Sequence, residues 1–308
     1  VAFEIRPFPE FSWSNSRDRL LRQCPRAYFY RYYLSWNGWL REATEQSRLA
    51  YRLSKLTSLD ALLGQEIDKR AREIERALRA GHSVPPLEML EQRTRAGLRR
   101  AWRSSKERRR DFESRPKGVT MIRHLYLDED GEAEVARVEA KIVPCLENLL
   151  AVPHWERLAE CGEEGQVSIP DFAHTYMGDI KVYGALDLAY VHQGTLHVID
   201  WKSGRQQDSD EFQVLISAWV LTHENENLKR HSLEGHLHYL SLGIYRAVQF
   251  PDDLASEVEA GVLERASAMQ SFLFDPRANK PLEISEFPRH ESALCSSCNF
   301  APLCEGSE

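Results

Sequence analysis

The stretch Gly184-Ala-Leu-Asp187-Leu-Ala-Tyr-Val-His-Gln-Gly-Thr-Leu-His-Val-Ile-Asp200-Trp-Lys202-Ser-Gly204 decides the fold. Two apolar, β-branched runs flank Gln193-Gly194, where glycine can supply the positive φ of a two-residue hairpin turn. With that turn, His192 faces Thr195, and counting outward puts Asp187 opposite Asp200 with both side chains on one face. Their Cβ atoms would lie about 4.5–5.5 Å apart, and Lys202 would share the face about 7 Å further along. Two carboxylates in an apolar strand pair repel, so something must compensate them. Hard oxygen ligands at this spacing suit Mg²⁺ or Mn²⁺. Lys202 is placed to orient water and to stabilise charge developing on a phosphate. The plainer alternative is an Asp–Lys–Asp surface cluster on an edge strand. Leu186, Leu188, Val198 and Ile199 argue instead for a buried sheet.

Outward from the hairpin, residues 166–172 and 179–190 read as strands and 196–201 as a third. Helical spacing returns over 208–223, followed by strands at 236–240 and 243–250 and a helix over 251–272 with Pro251 at its start. The front half reads as helices. A short one covers 17–23, capped by Ser14 or Ser16, and Pro25 sits in the first turn of the next, 25–34. That second helix carries Tyr28, Phe29, Tyr30, Tyr32 and Tyr33, which form either core or a stacking surface. Residues 47–56 and 58–79 follow, ended by Gly81. Pro85-Pro86 opens a long charged helix to about Ser114, and 132–150 is a helix bent near Pro144. Helices first, then strands interrupted by a helix, predict an α/β or α+β core wearing a helical extension.

Composition sets the class. The chain has 308 residues, 40 Lys+Arg against 47 Asp+Glu, 42% hydrophobic and 28% charged residues, values ordinary for a soluble globular protein. No apolar run approaches the roughly 18 residues of a membrane span. Val1-Ala2-Phe3-Glu4 lacks a basic region leading into an apolar stretch, so a cytoplasmic protein is expected. The net charge of −7 hides an asymmetry. Residues 1–118 hold 26 Lys+Arg against 15 Asp+Glu, and residues 119–308 hold 14 against 32. A positive half suits a polyanion. The densest basic stretch runs from 93 to 117, where Arg99, Arg103, Lys106 and Arg110 fall at spacings of four, three and four. On one continuous helix they would form a row able to follow a nucleic-acid backbone, with Trp102 beside it.

The pattern Gly184-x-x-Asp187, a turn, then Ile199-Asp200-x-Lys202-x-Gly204 resembles the core of the PD-(D/E)XK nucleases, and within them the RecB-like branch. The resemblance implies a restriction-endonuclease-like mixed central sheet flanked by helices. It implies that Asp187 and Asp200 hold the metal, that Lys202 assists the attacking water, and that Trp201 lends its backbone carbonyl. The helix after the hairpin resembles the family's Gln-x-x-x-Tyr helix, with Gln213 present and Ser217 in the Tyr position. Gly64-Gln-Glu66-Ile-Asp68 resembles the branch's Gly-x-x-x-His, with Asp68 where the metal-binding His is expected and Glu66 as the fallback ligand.

Six cysteines occur. Cys145 and Cys161 read as structural thiols. Cys295-x-x-Cys298 and Cys304 form a compact set able to converge on a metal, with Cys24 as the candidate fourth ligand. The stretch around Cys24-Pro-Arg-x-Tyr-x-Tyr-Arg-Tyr is similar to the start of iron–sulfur RecB-like nucleases, including CRISPR-adaptation nucleases and the AddB nuclease domain. Those hold a four-iron, four-sulfur (4Fe–4S) cluster between one early and three late cysteines. Zinc in the same thiolates is the alternative. The expected organisation is N-terminal helices over 1–80, a basic helical insertion over 81–165, a nuclease core over 166–275 and an iron–sulfur tail over 276–308. The expected function is a Mg²⁺- or Mn²⁺-dependent nuclease acting on single-stranded or end-containing DNA. Its expected partners are DNA and a helicase or other nucleic-acid-processing protein. The rival reading is a catalytically weak or inactive nuclease-fold subunit that binds DNA or acts as a scaffold.

Overall fold

Gln193 and Gly194 both take positive φ, 50° and 82°, and the strands they join pair His192 with Thr195 and Leu188 with Ile199. The hairpin and its register are those predicted. The structure, a computed structural model, describes residues 5–162, 164–169 and 173–305. In it the strands are β1 (Ser12–Trp13), β2 (His174–Met177), β3 (Ile180–Tyr183), β4 (Leu188–His192), β5 (Thr195–Lys202), β6 (Ser232–Tyr239), β7 (Ile244–Val248), β8 (Leu273–Asp275) and β9 (Lys280–Pro281). The central sheet has the order β4-β5-β6-β7. Its outer pairs are antiparallel and its inner pair, β5 with β6, is parallel. A parallel neighbour needs a crossover, here the helix Asp210–Glu224. A second sheet of order β1-β3-β2 and a small β8-β9 pair complete the strands.

The α-helices in chain order are α1 (Asn15–Gln23), α2 (Pro25–Phe29), α3 (Glu45–Leu53), α4 (Leu59–Arg79), α5 (Leu87–Glu107), α6 (Arg109–Ser114), α7 (Arg123–Tyr126), α8 (Glu132–Leu150), α9 (His154–Glu160), α10 (Asp210–Glu224), α11 (Leu254–Gln270) and α12 (Ala301–Glu305). Side-chain oxygens of Ser14, Thr44 and Ser58 cap α1, α3 and α4, each satisfying a free N–H of a first turn. Tyr28, Tyr30 and Tyr33, in α2 and the π-helical turn that continues it, are buried. The aromatic run is core.

Several expectations are corrected. The single strand 179–190 is two strands, because the chain changes sheets between them. Gly184 N–H donates to Ala173 in the small sheet, whereas Asp187 N–H donates to Ile199 in the large one. Of the strand expected over 166–172, Gln166 makes one isolated bridge to Tyr190 and 167–169 join no ladder; residues 170–172 lie outside the described ones. The helix over 251–272 starts at Leu254, where Asp253 accepts from Ser256 N, since a side-chain acceptor caps better than Pro251 can. The long charged helix breaks at Arg108 (φ −117°, ψ 31°). The break turns Phe112 into a buried cluster with Leu53, Val119 and Met121. Helices within 81–165 pack into the main core. Leu90, Val138, Ile142 and Trp155 share one core with Leu63 and Ile67 of α4 and with Tyr190, Ile199 and Trp201 of the sheet.

Candidate active site

β5 ends with Asp200-Trp201-Lys202, and alternation puts Asp200 and Lys202 on the face covered by α10. Gly184 lets that helix approach. A Cβ there would lie 3.0 Å from Val220 of α10, so the bare backbone sets how close Gln213 comes to the strand. Gln213 Nε2 donates to Asp200 Oδ1 at 2.8 Å and to the Ala185 carbonyl at 3.2 Å. Its Oε1 accepts from Lys202 Nζ at 3.1 Å and from Asn15 Nδ2 at 3.1 Å. Lys202 Nζ is also 2.7 Å from Asp200 Oδ2. Asp200, Lys202 and Gln213 therefore form one bonded triangle, closed from outside by Asn15.

Asp187 takes a different place from the one counted out on the ladder. It precedes β4, and its carboxylate accepts the Trp201 N–H at 2.8 Å, pinning the peptide between the acid and the lysine. Asp68, on α4, lines the same cavity of about 890 Å³ with Gly64, Asp187, Asp200, Trp201, Lys202 and Gln213. The fallback Glu66 does not reach it. Glu66 is buried beside Gly97 of α5, with Lys69 Nζ 2.6 Å away.

Burial raises the pKa of all three aspartates. For Asp187, repulsion from Asp68 adds to burial. For Asp200, Lys202 pulls the other way while Asp187 pushes up. Asp68 is raised to about 6 by burial, with Arg72 opposing and Asp200 reinforcing. Burial alone would lower Lys202, but Asp200, Asp187 and Asp210 together outweigh it and the ammonium is held more firmly than usual. Asp200 Oδ2 is buried and has no aligned hydrogen-bond donor, although the Lys202 ammonium lies against it. The 2.7 Å contact is an ion pair without an aligned hydrogen bond, and it leaves an Oδ2 lone pair for another electrophile. Desolvated, mutually repelling carboxylates, Asp200 buried and Asp68 and Asp187 half-buried, fit a hard divalent cation.

The basic row behaves otherwise. Arg99, Arg103, Lys106 and Arg110 are exposed, but Arg110 lies in α6 beyond the break, so the four do not share one helix face. None of them lines the acidic cavity. Trp102 packs against the core and His124, with Lys106 Nζ over its ring. Besides Lys202, the cations at the cavity are Arg19, Arg72, Arg79 and Arg205. Arg72 follows Asp68 by four residues on α4, one helical turn along the same face, a spacing through which it could have been found. Asn15 comes from the far end of the chain and Ser217, whose hydroxyl donates to the Ala185 and Gln213 carbonyls, stands where a tyrosine was expected. Neither announced its role.

Cys24, Cys295, Cys298 and Cys304 line a second cavity of about 840 Å³ between α1–α2 and the C-terminal turns. Burial, and after it the neighbouring thiols of Cys304, Cys24 and Cys295, raise the pKa of Cys298. Cys145 is fully buried and Cys161 half-buried away from them.

A mixed sheet with one parallel inner pair, carrying acid, acid and lysine at the strand ends beside a glutamine helix, defines a nuclease-type fold. The family model of the PD-(D/E)XK nuclease superfamily matches residues 12–305, and the chain belongs to that superfamily. No curated protein matches the chain. Among the described residues no helix is long and apolar enough to cross a membrane.

Proposed function

We propose that the chain is a metal-dependent deoxyribonuclease that hydrolyses phosphodiester bonds in single-stranded or end-containing DNA. The observation that carries this reading is the bonded set Asp200–Lys202–Gln213, sharing one cavity with Asp187 and Asp68 beneath Arg19, Arg72, Arg79 and Arg205. Asp68, Asp187, Asp200 and the Trp201 carbonyl would hold Mg²⁺ or Mn²⁺, an oxygen-only set suited to those ions. When bound, the ion supplies positive charge to the phosphate and makes water a better nucleophile. Lys202 presents its ammonium to the phosphate oxygens and stabilises their negative charge as the bond breaks. Gln213 holds both Lys202 and Asp200 in place, and Asn15 holds Gln213. The arginines neutralise flanking phosphates, a sequence-independent contribution that salt weakens. A cleavage assay on labelled single- and double-stranded DNA with Mg²⁺ or Mn²⁺ tests the proposal. Wild type is expected to cut and Lys202→Ala is not; a wild type that binds DNA without cutting would establish the scaffolding alternative.

The four cysteines are proposed to hold a 4Fe–4S cluster, which ties the first helices to the C-terminal turns. Their support is a shared cavity and mutual electrostatic influence. Anaerobically prepared protein is expected to contain iron and sulfide and to lose both in Cys24→Ala. Zinc in place of iron would assign the thiolates to a zinc site.

A further inference from the structure

At the other end of β5, on the opposite sheet face, lies a polar cluster that the nuclease reading does not use. β5 and β6 are parallel, and their register sets His197 beside Glu234, with His236 two residues further along β6 on the same face. His197 Nδ1 lies 3.1 Å from His236 Nε2 and 3.3 Å from Glu234 Oε2, and the last two atoms are 3.8 Å apart. A point equidistant from three such corners is about 2.0 Å from each, the length of a zinc–imidazole or zinc–carboxylate bond. Among the described residues this is the one group of three His, Cys, Asp or Glu side chains whose ligand atoms all lie within 4.8 Å of one another. Both imidazoles are buried, at 4% and 5% exposure, whereas the Glu234 side chain is 55% exposed and leaves a way in from solvent.

We propose that His197, Glu234 and His236 form a second metal site that takes a borderline transition ion, Zn²⁺ above all, with water as the fourth ligand. Two imidazoles and one carboxylate favour such an ion over Mg²⁺ or Ca²⁺. The surroundings orient the ligands: Tyr245 Oη is 3.0 Å from His236 Nδ1. With Nδ1–H donating to that hydroxyl, Nε2 is left as a lone pair directed at the ion. Arg157 acts electrostatically on His197 and His236 and repels a cation, so the Glu234 carboxylate is the ligand on which affinity depends. The bound ion would fasten β5 to β6 about 10 Å from Asp200 and stabilise the folded state by mass action. This inference stands whether or not the carboxylate cavity cleaves DNA.

Full-length protein stripped with a chelator and titrated with zinc provides the test, with bound metal counted after buffer exchange. Wild type should retain one zinc per chain more than Glu234→Ala and His236→Ala, and zinc should raise the melting temperature of wild type more than that of either variant. Co²⁺ in place of zinc should give wild type the visible absorption of one four-coordinate ion beyond that of either variant. Counting differences removes any contribution from the cysteines or the aspartates, which all three proteins share. Should His236→Ala fail to fold, Glu234→Ala decides alone, because that side chain is mostly exposed. Equal zinc content, equal affinity within twofold and an unchanged cobalt spectrum in Glu234→Ala would overturn the proposal.

Discussion

β5 carries a buried polar cluster at each end, and the two respond to burial in opposite ways. Towards its C-terminal end, desolvation raises the pKa of Asp200 and that of neighbouring Asp187. Towards its N-terminal end, on the other face, desolvation lowers the imidazoles. His236 falls to about 3, and across the interface His154 of α9 falls to about 2 and His238 to about 4, while neighbouring histidines reinforce the effect at His154 and His236. Burial disfavours whichever form is charged. The histidines can answer by staying neutral and bonding to one another, as His154 Nε2 does with His238 Nε2 at 2.9 Å. The aspartates repel one another and one ammonium does not compensate them all, so their cluster remains a place where a cation gains most. One end of the strand stores electrostatic tension and the other relieves it.

The largest expected effect separates the two ends by activity. Asp200→Asn and Lys202→Ala should each lower the rate of DNA cleavage by about a thousandfold or more, the scale of losing a preorganised charge in an active site. His238→Gln should leave it within a few-fold. Single-turnover rates at saturating Mg²⁺ check this, and comparable losses at both ends would erase the functional distinction.

The next effect is on acid stability. The cluster histidines have folded-state pKa values below their unfolded value of about 6.5, so the unfolded chain binds more protons below that pH. Their contribution to stability is complete above about pH 6.5 and is lost as pH falls towards 4. The aspartates act with the opposite sign. Their raised values mean that the folded state binds more protons than the unfolded one above about pH 3.8, and they cost stability as pH rises through the range up to their folded values. Metal-free protein should therefore lose several degrees of melting temperature between pH 7 and pH 5, with the histidines outweighing the aspartates. Replacing His154 by Gln should flatten that slope. A melting temperature independent of pH over this window would show that the imidazoles are not held neutral.

A smaller effect should come from the tension itself. Asp187→Asn keeps an oxygen to accept the Trp201 N–H while removing one of the repelling charges. Without metal it should melt about 1–2 °C above wild type at pH 7.5, a gain on the order of 1 kcal/mol for a chain of this size, and it should not cleave. Calorimetry in chelating buffer reads the shift. A lower melting temperature would mean that the carboxylate is already compensated. Smallest of all, reversing Arg99, Arg103 and Lys106 to Glu should reduce the salt slope of DNA binding by at most about three units. Arg72→Ala should lower affinity more per charge removed, because Arg72 lines the acidic cavity and the other three do not.

What could be read in advance follows from range. The turn at Gln193-Gly194, the pairing of Leu188 with Ile199, the Ser14 cap and the helix Glu132–Leu150 depend on residues close together in the chain. Dihedral preference and alternation were enough to specify them. Asp68, Asp187, Asp200, Lys202 and Gln213 were likewise legible, through spacing and resemblance. The break at Arg108 was not, since it exists to bring Phe112 to Val119 and Met121. Nor was the hold of Asn15 on Gln213, across 198 residues. The His197–Glu234–His236 triangle is the clearest case. Its members flank α10 in the sequence, and only the parallel register of β5 and β6 makes them neighbours. Sequence alone determined the local geometry of the hairpin and the chemistry its acids and lysine could offer. Which distant side chains share a site was decided by the crossover that lays one strand beside another, because parallel pairing joins residues that no local rule relates.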